Sequence, residues 1–180
     1  MPDHVEHPDP ATSRWQAAGI AVLDGLDRVA GVTIIVAMVV MVGVVSAQVF
    51  LRYALNSSFG WADEVSRLTF VWSIFLAIPL GVRAGAHIGI EILVTRLAPA
   101  ARSALARAVA LVGCGLMLIV GYESVVITID QWDEKMASLE LSAALFIVAV
   151  AIGALHAALH LAWITITGNP APGGMRISAE

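Results

Sequence analysis

Four long stretches of this sequence are apolar and nearly free of charge, and they constrain the fold more than any other feature. The first, residues 29–51, holds no charged residue, and at ~1.5 Å per residue it is long enough to cross the ~30 Å hydrocarbon layer of a membrane. Further stretches follow at residues 65–84, 108–129 and 141–167. A mean hydropathy of +0.85 with only 13% charged residues is typical of an integral membrane protein. We therefore predict an all-α membrane protein with four transmembrane helices.

The second stretch is the weakest, because only residues 68–82 are free of charge. They give ~22 Å of helix where ~30 Å is needed, so the charged flanks are expected to reach into the interface. Pro79 has no N–H to bond the carbonyl of Phe75, which predicts a kink near the end of this helix. The glycines that follow at four-residue spacing are Gly81, Gly85 and Gly89. They either form a smooth helical face or, as we expect for the later ones, end the helix in a turn.

The segments outside the spans have distinct patterns. Residues 1–13 are polar and proline-rich, and we expect them to be disordered. Residues 14–28 carry an apolar stripe at helical spacing, which predicts an interfacial helix or, alternatively, the first turns of the first span. Residues 88–98 are too short to span and predict an amphipathic segment in the interface. Residues 169–180 form a turn-rich tail. In the last span, the small residues at four-residue spacing, suited to helix packing, are Ala149, Gly153 and Ala157.

The placement of basic residues predicts the orientation of the spans, because segments rich in Lys and Arg remain in the cytoplasm. The arginines that fall on one side are Arg14, Arg28, Arg83, Arg96, Arg102, Arg107 and Arg176. Only Arg52, Arg67 and Lys135 fall on the other side. We therefore predict that both termini are cytoplasmic and that the turn between the first two spans faces outward.

Charged and aromatic residues are concentrated around that outward turn, between Gln48 and Arg67. The candidates for contact with a partner are Gln48, Arg52, Tyr53, Trp61, Asp63, Glu64 and Arg67. Both acids can reach Arg67 along one helix face, so the trio predicts either a self-neutralising helix start or a partner contact. Inside a bundle, Gln48 is expected to find a hydrogen-bonding neighbour.

Glu123 is a carboxylate inside the third span, which makes it a further functional candidate. Arg52 and Arg67 are its possible partners on the same side. Because Glu123 lies within ~8 Å of the far interface, we favour a structural pairing or contact with the lipid headgroups.

Two histidines of the fourth span, His156 and His160, raise an alternative function when taken with His87: a haem-binding membrane anchor of a redox complex. Axial ligation of one iron requires histidines from opposing helices, and the first and third spans contain none. We therefore expect His156 and His160 to be polar helix residues near the inner interface.

Several classes of chemistry are missing from the sequence. It contains no phosphate-binding glycine loop, no Cys/His zinc spacing, and no plausible set of nucleophile, base and orienting acid. There is also no basic tract for nucleic acid, and a single cysteine, Cys114, allows no internal disulfide. We predict that the protein is not an enzyme, binds no nucleic acid and holds no cofactor or metal.

The order and spacing of polar residues in the first half resemble the small transmembrane subunit of tripartite ATP-independent periplasmic (TRAP) transporters. The matching residues are Phe50, Arg52, Tyr53, Trp61, Glu64, Arg83, His87, Ile88 and Glu91. Four spans with cytoplasmic termini agree with that family. Glu91 stands where the family often has an aspartate.

The resemblance implies a sodium-driven transporter of the bacterial inner membrane that imports an organic acid anion, such as a C4-dicarboxylate. In that family a periplasmic binding protein captures the solute, and a large multi-span permease subunit carries both the substrate and the sodium sites. The small subunit would be a scaffold among the membrane lipids that helps to dock the binding protein. The matched residues Arg83, His87 and Glu91 then join the residues near the turn as interface candidates.

Overall fold

The computed structural model of the protein describes residues 10–85, 99–168 and 171. Four α-helices make up most of these residues: α1 (Pro10–Ala54), α2 (Ala62–Arg83), α3 (Pro99–Asp130) and α4 (Leu145–Thr167). Each is long and apolar enough to cross a membrane. The predicted all-helical architecture, with four helices able to span a membrane, is therefore confirmed. The interfacial segment at 88–98, with His87 and Glu91, lies outside the described residues, and the orientation of the termini stays a prediction.

α1 is a single helix and is longer than the predicted first span. It starts at Pro10, so the last residues of the segment 1–13, expected to be disordered, are helical instead. Proline is well suited to a helix start, where its missing N–H would have no intrahelical partner. The segment 14–28 continues without a break into the span, which agrees with the alternative that it forms the first turns of the same helix. With 45 residues, α1 is ~68 Å long and exceeds the ~30 Å hydrocarbon thickness.

The ends of α2 and α4 are set by their turns. α2 ends at Arg83, and Gly85 follows with a φ of 76°, as expected if the later glycines form a turn. α4 starts at Leu145 instead of near residue 141, because the residues before it form a small backbone-bonded turn. In that turn Met136 N–H donates to Leu141 at 2.9 Å, and Ala143 N–H donates to Glu134 at 2.7 Å.

α4 is the central element of the bundle and packs against both α2 and α3, while α1 packs mainly against α2. The predicted small-residue stripe is confirmed as a packing face: Ala149 and Ala157 are fully buried, and Gly153 is buried beside them. Trp72 of α2 donates its indole N–H to the carbonyl of Leu145 at 3.1 Å. The stripe therefore allows the backbones of α2 and α4 to approach closely.

Pro79 and Gly153 act together at this crossing. Pro79 lies fully buried within α2, and it cannot donate to the Phe75 carbonyl one turn earlier. Gly153 of α4 lies directly over that carbonyl, so close that a Cβ at position 153 would collide with the Phe75 backbone. The Phe75 carbonyl, which Pro79 leaves without its helical hydrogen bond, thus faces Gly153, and only glycine lets its Cα–H lie against such a carbonyl. Weak Cα–H···O contacts of this kind recur at helix interfaces.

The outer faces of α1 and α3 are apolar and exposed. On α1, Val29, Ile35 and Val39 are each about two-thirds exposed. On α3, Val112 and Ile129 are each 73% exposed. In a membrane these faces are covered by lipid or by another protein.

Candidate functional sites at the two ends of the bundle

The alternation of the helices places polar residues at two opposite ends. The end of α1, the start of α2 and the turn before α4 come together at one end. The start of α1 and the ends of α2 and α4 come together at the other. We call the first group the hairpin-tip cleft and the second the charge cluster, and we define their residues below.

The hairpin-tip cleft is a shallow polar cavity of about 420 Å³ at the turn between α1 and α2. Its lining residues are Gln48, Arg52, Asn56, Ser57, Ser58, Phe59, Gly60 and Asp63. Asn56 has a φ of 46°, in the left-handed region that asparagine tolerates better than most residues. The ring of Phe59 stacks on that of Trp61 at 5.1 Å between centroids. Of the predicted tip residues, Gln48, Arg52 and Asp63 line this concave surface, whereas Tyr53, Trp61, Glu64 and Arg67 are not among its lining residues.

Gln48 and Asp63 face each other across the cleft. The Gln48 amide nitrogen donates to Asp63 Oδ1 at 3.4 Å, a long and therefore weak hydrogen bond between the half-buried Gln48 and the exposed Asp63. Gln48 thus has a hydrogen-bonding neighbour at the cleft, and a stronger partner inside the bundle stays a prediction. Arg52 lines the same cleft and is exposed, and Tyr53 beside it is 85% exposed. These side chains are open to a partner.

Glu64 has a different role from the predicted pairing with Arg67. Its carboxylate accepts hydrogen bonds from the backbone N–H groups of Ser138, at 3.1 Å to each oxygen, and Leu139, at 3.0 Å. Within the described residues, no ion pair joins Arg67 to Asp63 or Glu64. The alternative of a self-neutralising trio is not observed, because backbone donors of the turn before α4 engage Glu64 and Gln48 engages Asp63. The other alternative, a contact with a partner, stays a prediction. Glu64 thus fixes the turn before α4 onto the start of α2.

Glu123 lies on the exposed side of α3. In the part of the chain that the structure describes, it forms no ion pair with Arg52 or Arg67. An outward carboxylate is placed to reach the membrane surface, and contact with the lipid headgroups stays a prediction.

The charge cluster at the opposite end consists of Asp24, Asp27, Arg83, His156 and His160. Arg83, at the end of α2, forms salt bridges with both Asp24 and Asp27 of α1. Its side chain is only 5% exposed, while those of Asp24 and Asp27 are 48% and 13% exposed. A guanidinium buried this deeply needs paired carboxylates to offset its lost hydration. The predicted interface residue Arg83 therefore points into the bundle.

The two histidines of α4 complete this cluster. His160 Nε2 lies 2.9 Å from Asp27 Oδ1, and His156 Nε2 lies 3.0 Å from the same oxygen. His160 is 1% exposed and His156 is 6% exposed. Asp27 thus connects α1 to α2 through one carboxylate oxygen and to α4 through the other.

Asp24 and Asp27 were not among the predicted site residues, and His156 and His160 were expected to be polar helix residues near the inner interface. A signal was present: Asp24 and Asp27 are three apart, and His156 and His160 are four apart, so each pair shares one helix face. The alternation of spans also places these pairs and Arg83 at the same end of the bundle.

The positions of the histidines bear on the haem alternative. Their rings are 5.1 Å apart on one helix, and both Nε2 atoms approach the same carboxylate oxygen. Two axial ligands of one haem iron lie on opposite faces of the macrocycle. His156 and His160 approach one point from the same helix, so this pair cannot supply both axial ligands.

Comparison with known proteins identifies the family. Residues 41–167 match the family described as "Tripartite ATP-independent periplasmic transporters, DctQ component". An uncharacterized protein of Sinorhizobium fredii, y4mM, is 30% identical over 115 residues, which are 63% of this chain and 21% of that protein. The C4-dicarboxylate TRAP transporter small permease protein DctQ of Vibrio cholerae is 32% identical over 94 residues, which are 49% of this chain and 40% of that protein.

The chain thus spans less than half the length of each of these relatives, whereas the family match covers most of the chain and all four spans in part or whole. DctQ components are subunits of transporters and are not enzymes. The chain belongs to the DctQ component family of the TRAP transporters.

Proposed function

We propose that this protein is the small membrane subunit of a sodium-driven TRAP transporter in the bacterial inner membrane, where it supports a large permease subunit and helps to dock a periplasmic binding protein. The observation that carries the proposal is the family match over residues 41–167. The imported solute is an organic acid anion, and the name of the Vibrio cholerae relative supports a C4-dicarboxylate or a related carboxylate.

The packing of the bundle supports the scaffold role. α2 and α4 are in backbone contact along the small-residue stripe, so their interface is filled by the protein itself. The apolar outer faces of α1 and α3 offer two long surfaces to a second membrane protein. A subunit built this way widens a complex in the membrane and leaves solute movement to its partner.

The hairpin-tip cleft supports the docking role. Arg52 and Asp63 expose opposite charges at its rim, and Phe59 and Trp61 add a partly exposed aromatic pair. Polar rims with exposed charges guide protein association, and aromatic and arginine side chains are frequent at interface centres. The tip lies at the end of the bundle opposite to the start of α1. Because the arginine count predicts a cytoplasmic start of α1, the tip would face outward.

Cysteine labelling tests the proposed topology. In a Cys114→Ser background, Ser57→Cys and Ser138→Cys should react with a membrane-impermeant thiol reagent added to intact spheroplasts. Ala17→Cys, an exposed position near the start of α1, should react only after the membrane is opened. Labelling of Ala17→Cys alone in intact spheroplasts would reverse the topology.

Reconstitution tests the transport role. The chain should copurify with the large permease subunit when both are expressed, and proteoliposomes should accumulate the carboxylate only with both subunits, the binding protein and an inward sodium gradient. Omission of this chain should abolish uptake. Solute accumulation by this chain alone in proteoliposomes would contradict the scaffold role.

A further inference from the structure

The charge cluster brings three metal-ligating atoms to one point inside the bundle. They are Asp27 Oδ1 from α1 and the Nε2 atoms of His156 and His160 from α4. The three atoms lie within 4.8 Å of one another, and the carboxylate oxygen is 3.0 Å and 2.9 Å from the two nitrogens. Two histidines at positions i and i+4 present both rings on one helix face, which is the spacing of helical zinc motifs.

His156 provides an independent observation. Its Nε2 is buried and forms no hydrogen bond within the described part of the chain, although Asp27 Oδ1 is only 3.0 Å away. Asp27 Oδ1 instead accepts a hydrogen bond from His160 Nε2. A buried ring nitrogen without a hydrogen bond is costly, and native structures rarely leave one. An atom that bonds both nitrogens and the oxygen at once would remove this cost.

The geometry points to a site for a divalent transition-metal ion, with zinc as the best match, bound by Asp27, His156 and His160. Zinc bonds of ~2.0–2.2 Å in a tetrahedral arrangement place neighbouring ligand atoms ~3.3 Å apart. The observed separations of 2.9 Å and 3.0 Å differ from this by only a few tenths of an ångström. Neutral imidazoles and one carboxylate are ligands that suit zinc, cobalt and nickel. Three protein ligands leave a fourth position for water.

The balance of charge around the site still suits a cation, although the Arg83 guanidinium lies nearby. Arg83 binds Asp27 through Oδ2 and so leaves Oδ1 directed at the histidines. Asp24 also pairs with Arg83, so two carboxylates stand against one guanidinium and the surroundings remain negative. Arg83 would orient the ligating carboxylate, a role whose loss typically lowers metal affinity by about 10–100-fold. The partly exposed Asp24 marks the side on which an ion can reach the site.

Metal binding at this site would not depend on the proposed transport role. The ion would bridge α1 and α4, two helices that otherwise have few contacts with each other. The competing arrangement is a hydrogen-bonded connection alone, in which both imidazoles donate toward Asp27 and no metal binds.

Metal titration of the full-length protein separates the two arrangements. The protein is purified in detergent without a polyhistidine tag, freed of metal with a chelator and titrated with Zn²⁺ by calorimetry and with Co²⁺ by visible absorption. We expect one equivalent of each ion to bind, with the intense visible bands of four-coordinate Co²⁺. Absence of binding by the wild-type protein would overturn the proposal without reference to any variant.

Variants then locate the site. His156→Gln and His160→Gln should each weaken Zn²⁺ binding more than tenfold and abolish the four-coordinate Co²⁺ bands, with helicity checked by circular dichroism. The matched control is the double variant His4→Ala with His7→Ala, which removes two histidines of the N-terminal tail and should bind Zn²⁺ as the wild type does. Binding that survives in the His156→Gln and His160→Gln double variant would place the ion elsewhere and refute the assignment.

Discussion

The two ends of the bundle handle charge in opposite ways. At the charge cluster, Arg83 and the two histidines are almost fully buried, and Asp27 contacts three side chains from two other helices. At the hairpin-tip cleft, Arg52 and Asp63 are exposed, and the contact between Asp63 and Gln48 is long. Buried charges must be satisfied within the fold, whereas exposed charges are cheap to solvate and remain available to a partner. The first end therefore stabilises the fold, whereas we propose that the second serves assembly.

The largest expected effect comes from breaking the buried end. Asp27→Ala removes one of the two acidic partners of Arg83 and the oxygen shared by both histidines, so it should lower the free energy of unfolding by about 3–5 kcal/mol. The measurement is a denaturant titration in mixed micelles. Asp24→Ala is the matched control, because Asp24 is half exposed and its loss should cost about 1 kcal/mol or less. Equal losses for the two variants would contradict the assigned difference in burial.

Gly153 tests the packing that connects the two ends. Gly153→Ala places a Cβ against the Phe75 carbonyl and should force α2 and α4 apart, at a cost of about 1–3 kcal/mol in the free energy of unfolding. Gly43→Ala is the control, since a Cβ at Gly43 meets nothing within 4 Å. Thermal unfolding of both variants in detergent gives the comparison. A Gly153→Ala protein as stable as the wild type would show that the helices do not cross this closely.

Glu64 lies between the two extremes, because it is partly buried and, among the described residues, bonded only to backbone N–H groups. Glu64→Gln keeps an acceptor but loses the charge, so the free energy of unfolding should fall by about 1 kcal/mol. Insertion into the membrane should be normal, while uptake by the assembled transporter should fall, because the turn before α4 is held less firmly beside the cleft. Glu140→Gln removes an exposed acid from the same turn and should leave uptake unchanged. Normal uptake by the Glu64 variant in whole cells would remove Glu64 from the functional residues.

Much of the fold was predictable from the sequence, because spans and turns are local. Long apolar runs mark the four helices, although the charge-free part of the second is shorter than the membrane is thick, and the polar turn before Trp61 marks the hairpin. The stripe of Ala149, Gly153 and Ala157 was also predictable, since small residues at four-residue spacing can serve only one helix face.

The charge cluster was not predictable in the same way. Its contacts join Asp27 to Arg83 and His160, which are 56 and 133 residues further along the chain. To predict them, one must know how each helix is rotated about its axis and how deep each side chain lies, and neither follows from the hydropathy of a single span. The absence of the pairing between Arg67 and Glu64 was unpredictable for a related reason. The backbone donors that engage Glu64 belong to a turn more than 70 residues away.

The affinity of the binding protein for the reconstituted membrane complex tests the central claim most directly. Arg52 is exposed at the cleft, so Arg52→Ala should leave the thermal midpoint unchanged and weaken binding-protein affinity about tenfold, or ~1.4 kcal/mol. Lys135→Ala, which removes another exposed cation from the same end, is the control and should bind as the wild type does. The measurement is a binding titration against complexes in lipid nanodiscs. Wild-type affinity for Arg52→Ala, or a loss of affinity explained by a lower thermal midpoint, would contradict the division between a folding end and a docking end.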